Sequence, residues 1–262
     1  MEQDIGELLD AWPFDPEANV RRIFGDDGMP KLQVRVDQGA FQGILQLNLN
    51  GRPDGRRPHG AEFALDHYRS ALERHRQQQG GAARGFELGR EACRELFDES
   101  SRVYGRYVFL LQLKDYGLVV RDTERNMELF RFVNAYAAHE EDRRNLERWW
   151  PYILRINATA RAMQAADQGD YDQALRTVEE VRSRIRGLPE IEAEEFHVER
   201  ERSEQALDEL ARELAERRPP TRLEILQQRL QEAVERDEFE RAATIRDEIR
   251  RLADGGEPSR SA

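Results

Sequence analysis

The segment RPDGRRPHGAEFALDHY, from Arg52 to Tyr68, holds the densest set of side chains that could do chemistry. Asp54, His59, Glu62, Asp66 and His67 all fall within it. A metal ion would need about three such ligands converging, with neutral nitrogen from His and oxygen from the acids. The spacing of His59 and His67, across a loop-to-helix junction, matches no zinc pattern. The segment therefore reads as a rigid Pro/Gly loop that caps a helix beginning near Ala61, and no metal is expected. Arg52, Arg56 and Arg57 on the same loop form a candidate anion-binding patch, because guanidinium groups on a rigid loop suit carboxylate or phosphate.

Other reactive side chains read as structural. His139 in YAAHEEDRR and His197 in EEFHVER sit among helix-face charges and should be solvated. Cys93 in REACRELF reads as a small buried apolar side chain. The pair Trp149–Trp150 before Pro151 reads as core at a helix junction. No Ser/His/Asp or Cys/His pairing is suggested. The expectation is a protein without catalytic residues or cofactors, and not an enzyme.

Composition narrows the classes further. A chain of 262 residues can bury a core and allows one or two domains. Its charged fraction of 35% exceeds the usual ~25% and suits long helices laced by solvent. A net charge of -11 argues against general binding to a phosphate backbone, so no direct nucleic-acid contact is expected. With Cys93 alone there is no intramolecular disulfide and no paired-cysteine zinc knuckle. The start, MEQDIGELLDAW, is acidic and lacks the charged and apolar regions of a signal peptide. No apolar run approaches the ~18 residues of a membrane span. A soluble, cytoplasmic protein with no membrane contact is expected.

These side chains must be positioned by a mainly α fold. KLQVRVD (Lys31–Asp37) alternates Leu32, Val34 and Val36 against Gln33 and Arg35, and LQLNLN (Leu45–Asn50) alternates in the same way. Such period-two patterns bounded by Gly39, Gly43 and Gly51 predict a β-hairpin with a loose turn, its apolar face on helices. From Ala61 onward the periodicity is helical. The expected divisions are an N-terminal segment over 1–60, a helical bundle over 61–188 and a long charged connecting helix over 189–218. A helical hairpin over 221–254 and a disordered tail over 255–262 follow. Leu207, Leu210 and Leu214 give the long helix an apolar seam, and Pro219–Pro220 break it.

An internal repeat runs through the helices. LKDYGLVV (Leu113–Val120), QGDYDQAL (Gln168–Leu175) and RDEFERAA (Arg236–Ala243) each carry an acid, an aromatic and then small or aliphatic residues. The acid should cap the second helix, with Asp170 and Gln173 forming a capping box. Asp237 with Glu240 offers an alternative box in the third copy. Tyr116, Tyr171 and Phe239 should plug the elbows between helices. The first two copies resemble tetratricopeptide repeats (TPR), although that family repeats every ~34 residues and these copies lie further apart. The implied body is TPR-like rather than a regular solenoid.

The stretch LEILQQRLQEAVERDEFERAATIRDEIRRL (Leu223–Leu252) reads as two short helices around a turn without glycine. The order Leu230, Ala233, Val234, acidic turn, Phe239, Ala242, Ala243, Ile245, Arg246, Asp247, Ile249 resembles the UVR motif, a helical hairpin found in UvrB, UvrC and McsA. The resemblance implies a protein–protein interaction module pairing with another such hairpin, a partner enzyme or itself. Leu230, Val234, Phe239, Ala242, Ala243, Arg246, Asp247 and Ile249 would form the contact. A hairpin of roughly thirty residues buries too little surface to offset its chain entropy unaided, which suits a docking element. No GxxxxGK[ST] phosphate loop accompanies it, nor the cysteine pairs of McsA. The reading is a non-enzymatic adaptor. The alternatives are an excision-repair accessory factor recruited to UvrB or UvrC, and a small-ligand or metal binder using the Arg52–His67 loop.

Overall fold

The computed structural model describes residues 4–253, so the tail expected over 255–262 lies outside the described residues. The alternating segments form strands. Val20–Phe24 (β1), Pro30–Gln38 (β2) and Phe41–Asn48 (β3) make an antiparallel sheet in that order. The turn between β2 and β3 is tight rather than loose: Gln38 pairs with Phe41, leaving Gly39 and Ala40 as the loop. Gly39 takes φ +59°, a left-handed conformation open to glycine at no steric cost. β1 escaped the pattern reading because VRRIF places Arg21 and Arg22 where alternation would show, and its Phe24 stays exposed.

Leu32 and Val34 are buried, and with Val20 and Leu49 they pack on the helical layer at Val103, Tyr107, Leu110 and Val119. The opposite face is less open than the alternation implies. Arg35 is only 3% exposed there. It donates hydrogen bonds to the Trp12 and Val36 carbonyls at 3.2 and 2.7 Å and to Gln42 Oε1 at 3.0 Å.

The first helix, Gly6–Asp10 (α1), is short. Those of the body are Ala64–Gln78 (α2), Arg90–Gln112 (α3), Tyr116–Tyr136 (α4), Glu140–Glu147 (α5), Trp150–Asp167 (α6), Tyr171–Arg186 (α7) and Glu194–Arg217 (α8). Antiparallel neighbours α3/α4 and α6/α7 pack together, and α4 meets α6. α6 buries apolar residues towards both cores, as a central helix does, while Arg155 and Arg161 pair with Glu199 and Glu124. Ile153, Leu154, Ala158 and Ala162 face one core and Ile156 and Ala160 the other. Its start matches part of the sequence reading: Pro151 is buried and Trp150 meets Phe130 edge-on at 5.4 Å, whereas Trp149 is 39% exposed. The seam of α8, Leu207, Leu210 and Leu214, enters the same core as α6 and α7.

The repeated elbows share one backbone solution. Lys114, Gly169 and Asp237 occupy the same register and take φ of +57°, +81° and +58°. The next residue, Asp115, Asp170 or Glu238, donates its N–H to the carbonyl of Leu110, Ala165 or Ala233 at 2.9, 2.9 and 2.8 Å. These are the long bonds of a Schellman helix end. The acid that closes one helix thus immediately precedes the next, although Asp115 makes no side-chain cap hydrogen bond to α4, and the aromatic is that helix's first residue. Asp170 Oδ1 accepts from the Gln173 N–H at 2.9 Å, which is half of a capping box; the Gln173 side chain turns instead to Thr177 and Arg176. Tyr116 is buried and Tyr171 half-buried, but Phe239 is 68% exposed and plugs nothing. Asp237 cannot serve as the cap proposed with Glu240, because it is the left-handed residue two positions before Phe239.

The chain divides into two compact units, Met1–Leu214 and Ala215–Ala262. The second contains Arg222–Glu235 (α9) and Phe239–Ala253 (α10), packed as a hairpin.

Candidate functional site

Thr221 starts the hairpin. Its hydroxyl accepts from the Glu224 N–H at 3.2 Å, while the Glu224 carboxylate accepts from the Thr221 N–H at 2.7 Å. This reciprocal capping box satisfies orphan donors at the start of α9. The Thr221 N–H and the Arg218 guanidinium hold the Glu224 carboxyl below its ordinary pKa. At the far end of α10, Glu248 pairs with Arg222 at 2.8 Å, locking the antiparallel register.

Inside the hairpin, Leu226, Ala233, Ala242 and Ile245 form the core, with Leu230, Ile249 and Leu252 packed against it. The small Ala233 and Ala242 let the helices approach closely. The sequence-predicted contact set therefore divides. Ala242 is internal, and Leu230, Ala243 and Ile249 are half-buried. Val234, Phe239, Arg246 and Asp247 are exposed, with Val234 and Phe239 on either side of the turn. Periodicity alone could not separate these sets, because Phe239 and Ala242 are three apart and read as one face. Leu223 and Ile225, at the start of α9, are exposed apolar residues outside the predicted contact set.

The Arg52–His67 loop is drawn inward. Arg52 is 7% exposed and pairs with Asp54, Asp98 and Glu99, so it forms no patch with the exposed Arg56 and Arg57. Glu99 accepts from the Ala64 and Leu65 N–H groups at 2.6 and 3.1 Å, capping α2 from another helix. Burial raises the Glu99 pKa against the pull of those bonds and of Arg125 and Arg52. Arg106, almost fully buried, holds Asp122 with two bonds of 2.6 and 2.8 Å and the Asn48 and Gly51 carbonyls at 2.9 and 2.7 Å.

The two histidines do meet: the His59 and His67 rings stack at 4.0 Å. Glu95 takes hydrogen bonds from His59 and Tyr68 at 2.9 and 2.8 Å. Burial opposes the Glu95 charge, but these bonds outweigh it and lower its pKa. Burial lowers the His67 pKa, helped by His59 and Arg74, and so favours the neutral ring. Among the described residues no group of three or more His, Cys, Asp and Glu side chains could hold a metal ion. Cys93 is fully buried, and burial pushes its thiol up to about 11. His139 and His197 lie on the surface. Among the described residues no helix is long and apolar enough to cross a membrane.

No curated protein and no solved structure matched this chain. A protein-family model did: the one described as the UvrB/uvrC motif matches residues 221–254, the segment that forms α9 and α10. The C-terminal hairpin is a UVR motif, and this chain is a UVR-motif-containing protein.

Proposed function

We propose that the protein is a non-enzymatic adaptor that binds a protein partner through its UVR hairpin, with a TPR-like helical body as scaffold. The observation that carries this reading is Phe239, which is 68% exposed inside the motif while a small set of residues forms the hairpin's own core. A large aromatic ring at a turn is a suitable interface anchor. Val234 widens the apolar surface, and Arg246 and Asp247 supply charges that orient a partner. Burying Phe239 against a partner would contribute about 2 kcal/mol, enough to make its loss visible as a tenfold or larger drop in affinity.

The test is affinity purification from the native cell, comparing the intact chain with one stopped at Arg218 and with Phe239→Asp. Light scattering on each variant reports self-association. The adaptor reading expects a partner, or a dimer, that both changes remove while circular dichroism of Phe239→Asp stays helical. If Phe239→Asp leaves the bound proteins and the oligomeric state unchanged, the reading fails. Recovery of UvrB or UvrC as that partner would place the adaptor in excision repair.

A further inference from the structure

A cavity of about 450 Å³ opens in the helical body, within the range of roughly 300–1,000 Å³ typical of small-molecule sites. Its walls are aromatic: Phe97, Tyr104, Tyr107, Phe130, Trp149 and Tyr152 come from α3, α4 and the start of α6. Tyr104 meets Tyr107 edge-on at 5.4 Å and Tyr152 at 5.8 Å, so the rings are braced by one another. Tyr104 and Trp149 are also the exposed aromatics of this set, which gives the cavity a mouth.

Two polar groups on its lining are left short of partners. Asn126 is 1% exposed, donates its amide N–H to the Ser100 carbonyl at 3.0 Å and lies against the Tyr107 hydroxyl, but its Oδ1 accepts no hydrogen bond. Glu199 Oε2 also lacks a hydrogen bond, with Arg155 at 3.7 Å. A buried acceptor without a donor is costly, and native proteins retain few of them. Both atoms are acceptors, so a ligand that satisfies them must bring donors. The Glu199 charge is already countered by Arg202 at 2.8 Å and by Arg155, which removes the need for a cationic ligand. Aromatic walls favour a flat ring that can stack or meet them edge-on.

We propose that this cavity binds an uncharged, planar heteroaromatic compound bearing an amino donor, with Asn126 Oδ1 as the acceptor that selects it. The chemistry is that of an aminated nucleobase. This site is separate in composition from the UVR contact, and its failure would leave the adaptor reading untouched.

Isothermal titration and thermal shift on the full chain test it, using adenosine and cytidine as probes and purine riboside as the ring without the amino group. Quenching of tryptophan fluorescence, with Trp149 in the wall, is a second readout. Saturable one-to-one binding of adenosine or cytidine is expected, at least tenfold tighter for adenosine than for purine riboside. Asn126→Leu should erase that discrimination. Ser101→Trp, at an exposed lining residue, should block the cavity with the fold intact and abolish binding. The proposal is overturned if neither nucleoside binds, if purine riboside binds as well as adenosine, or if Ser101→Trp leaves binding unchanged.

Discussion

Asp237 sits in the left-handed region at φ +58° with no glycine to make that conformation easy. An L side chain there costs about 1–2 kcal/mol, partly offset in a Gly variant by the greater freedom of the unfolded chain. Asp237→Gly should therefore stabilise the UVR hairpin by about 0.5–1 kcal/mol. Hydrogen exchange of the α10 amides should slow severalfold, and Asp237→Ala should give no such gain. Arg106 makes the opposite case. Arg106→Met would strand the buried Asp122 carboxylate, a loss of about 3–5 kcal/mol for a broken buried pair, softened here by Arg121 at 2.9 Å from Asp122. A clear fall in the thermal midpoint of the full chain is expected. Neither residue announced its role in the sequence. Arg106 in YGRYVF and Asp122 in RDTER look like surface charges, because a buried ion pair leaves no periodic trace along one helix.

Elements were more legible than residues wherever side-chain period alone decides structure. β2, β3, the capped start of α7 and the hairpin of α9 and α10 all follow from alternation, helical spacing and cap chemistry. β1 did not, since an edge strand with Arg21 and Arg22 carries no alternation. The elbow repeat was visible as acid-aromatic, yet its shared backbone depended on the residue before the acid. Lys, Gly and Asp there have nothing in common except the conformation they accept. The same division applies to the candidate site. The motif was readable, whereas the separation of Ala242 from Phe239 depends on which face the second helix covers. Cap chemistry yields the prediction at this scale. Thr221→Ala should remove the capping box and cost the hairpin about 1 kcal/mol, read as faster exchange across the first turn of α9. The Glu224 pKa is lowered in the fold, so its contribution is present above the unfolded carboxyl pKa and is lost as pH falls through the folded value. Protection in that turn should fade with acid, and Glu224→Gln should flatten the dependence.

Over the whole molecule the charge balance separates two ways of serving a UVR motif. A protein that contacts DNA directly neutralises phosphates with clustered Lys and Arg, and its affinity rises steeply as salt is removed. This chain carries a net charge of -11, and many of its arginines are already paired: Arg52 with Asp54 and Glu99, Arg106 with Asp122, Arg125 with Asp66, Arg182 with Glu179. Paired guanidinium groups release few counterions, so the electrostatic term has little to work with. A labelled DNA duplex titrated with the intact protein should show no rise in fluorescence anisotropy even at low ionic strength, where weak contacts are least screened. Binding that appears at low salt and vanishes on raising it would instead reveal a local basic surface outweighing the net charge, and would move the motif's role towards nucleic acid. Silence under that permissive condition would leave protein recruitment as the route by which such a chain reaches any process that acts on DNA.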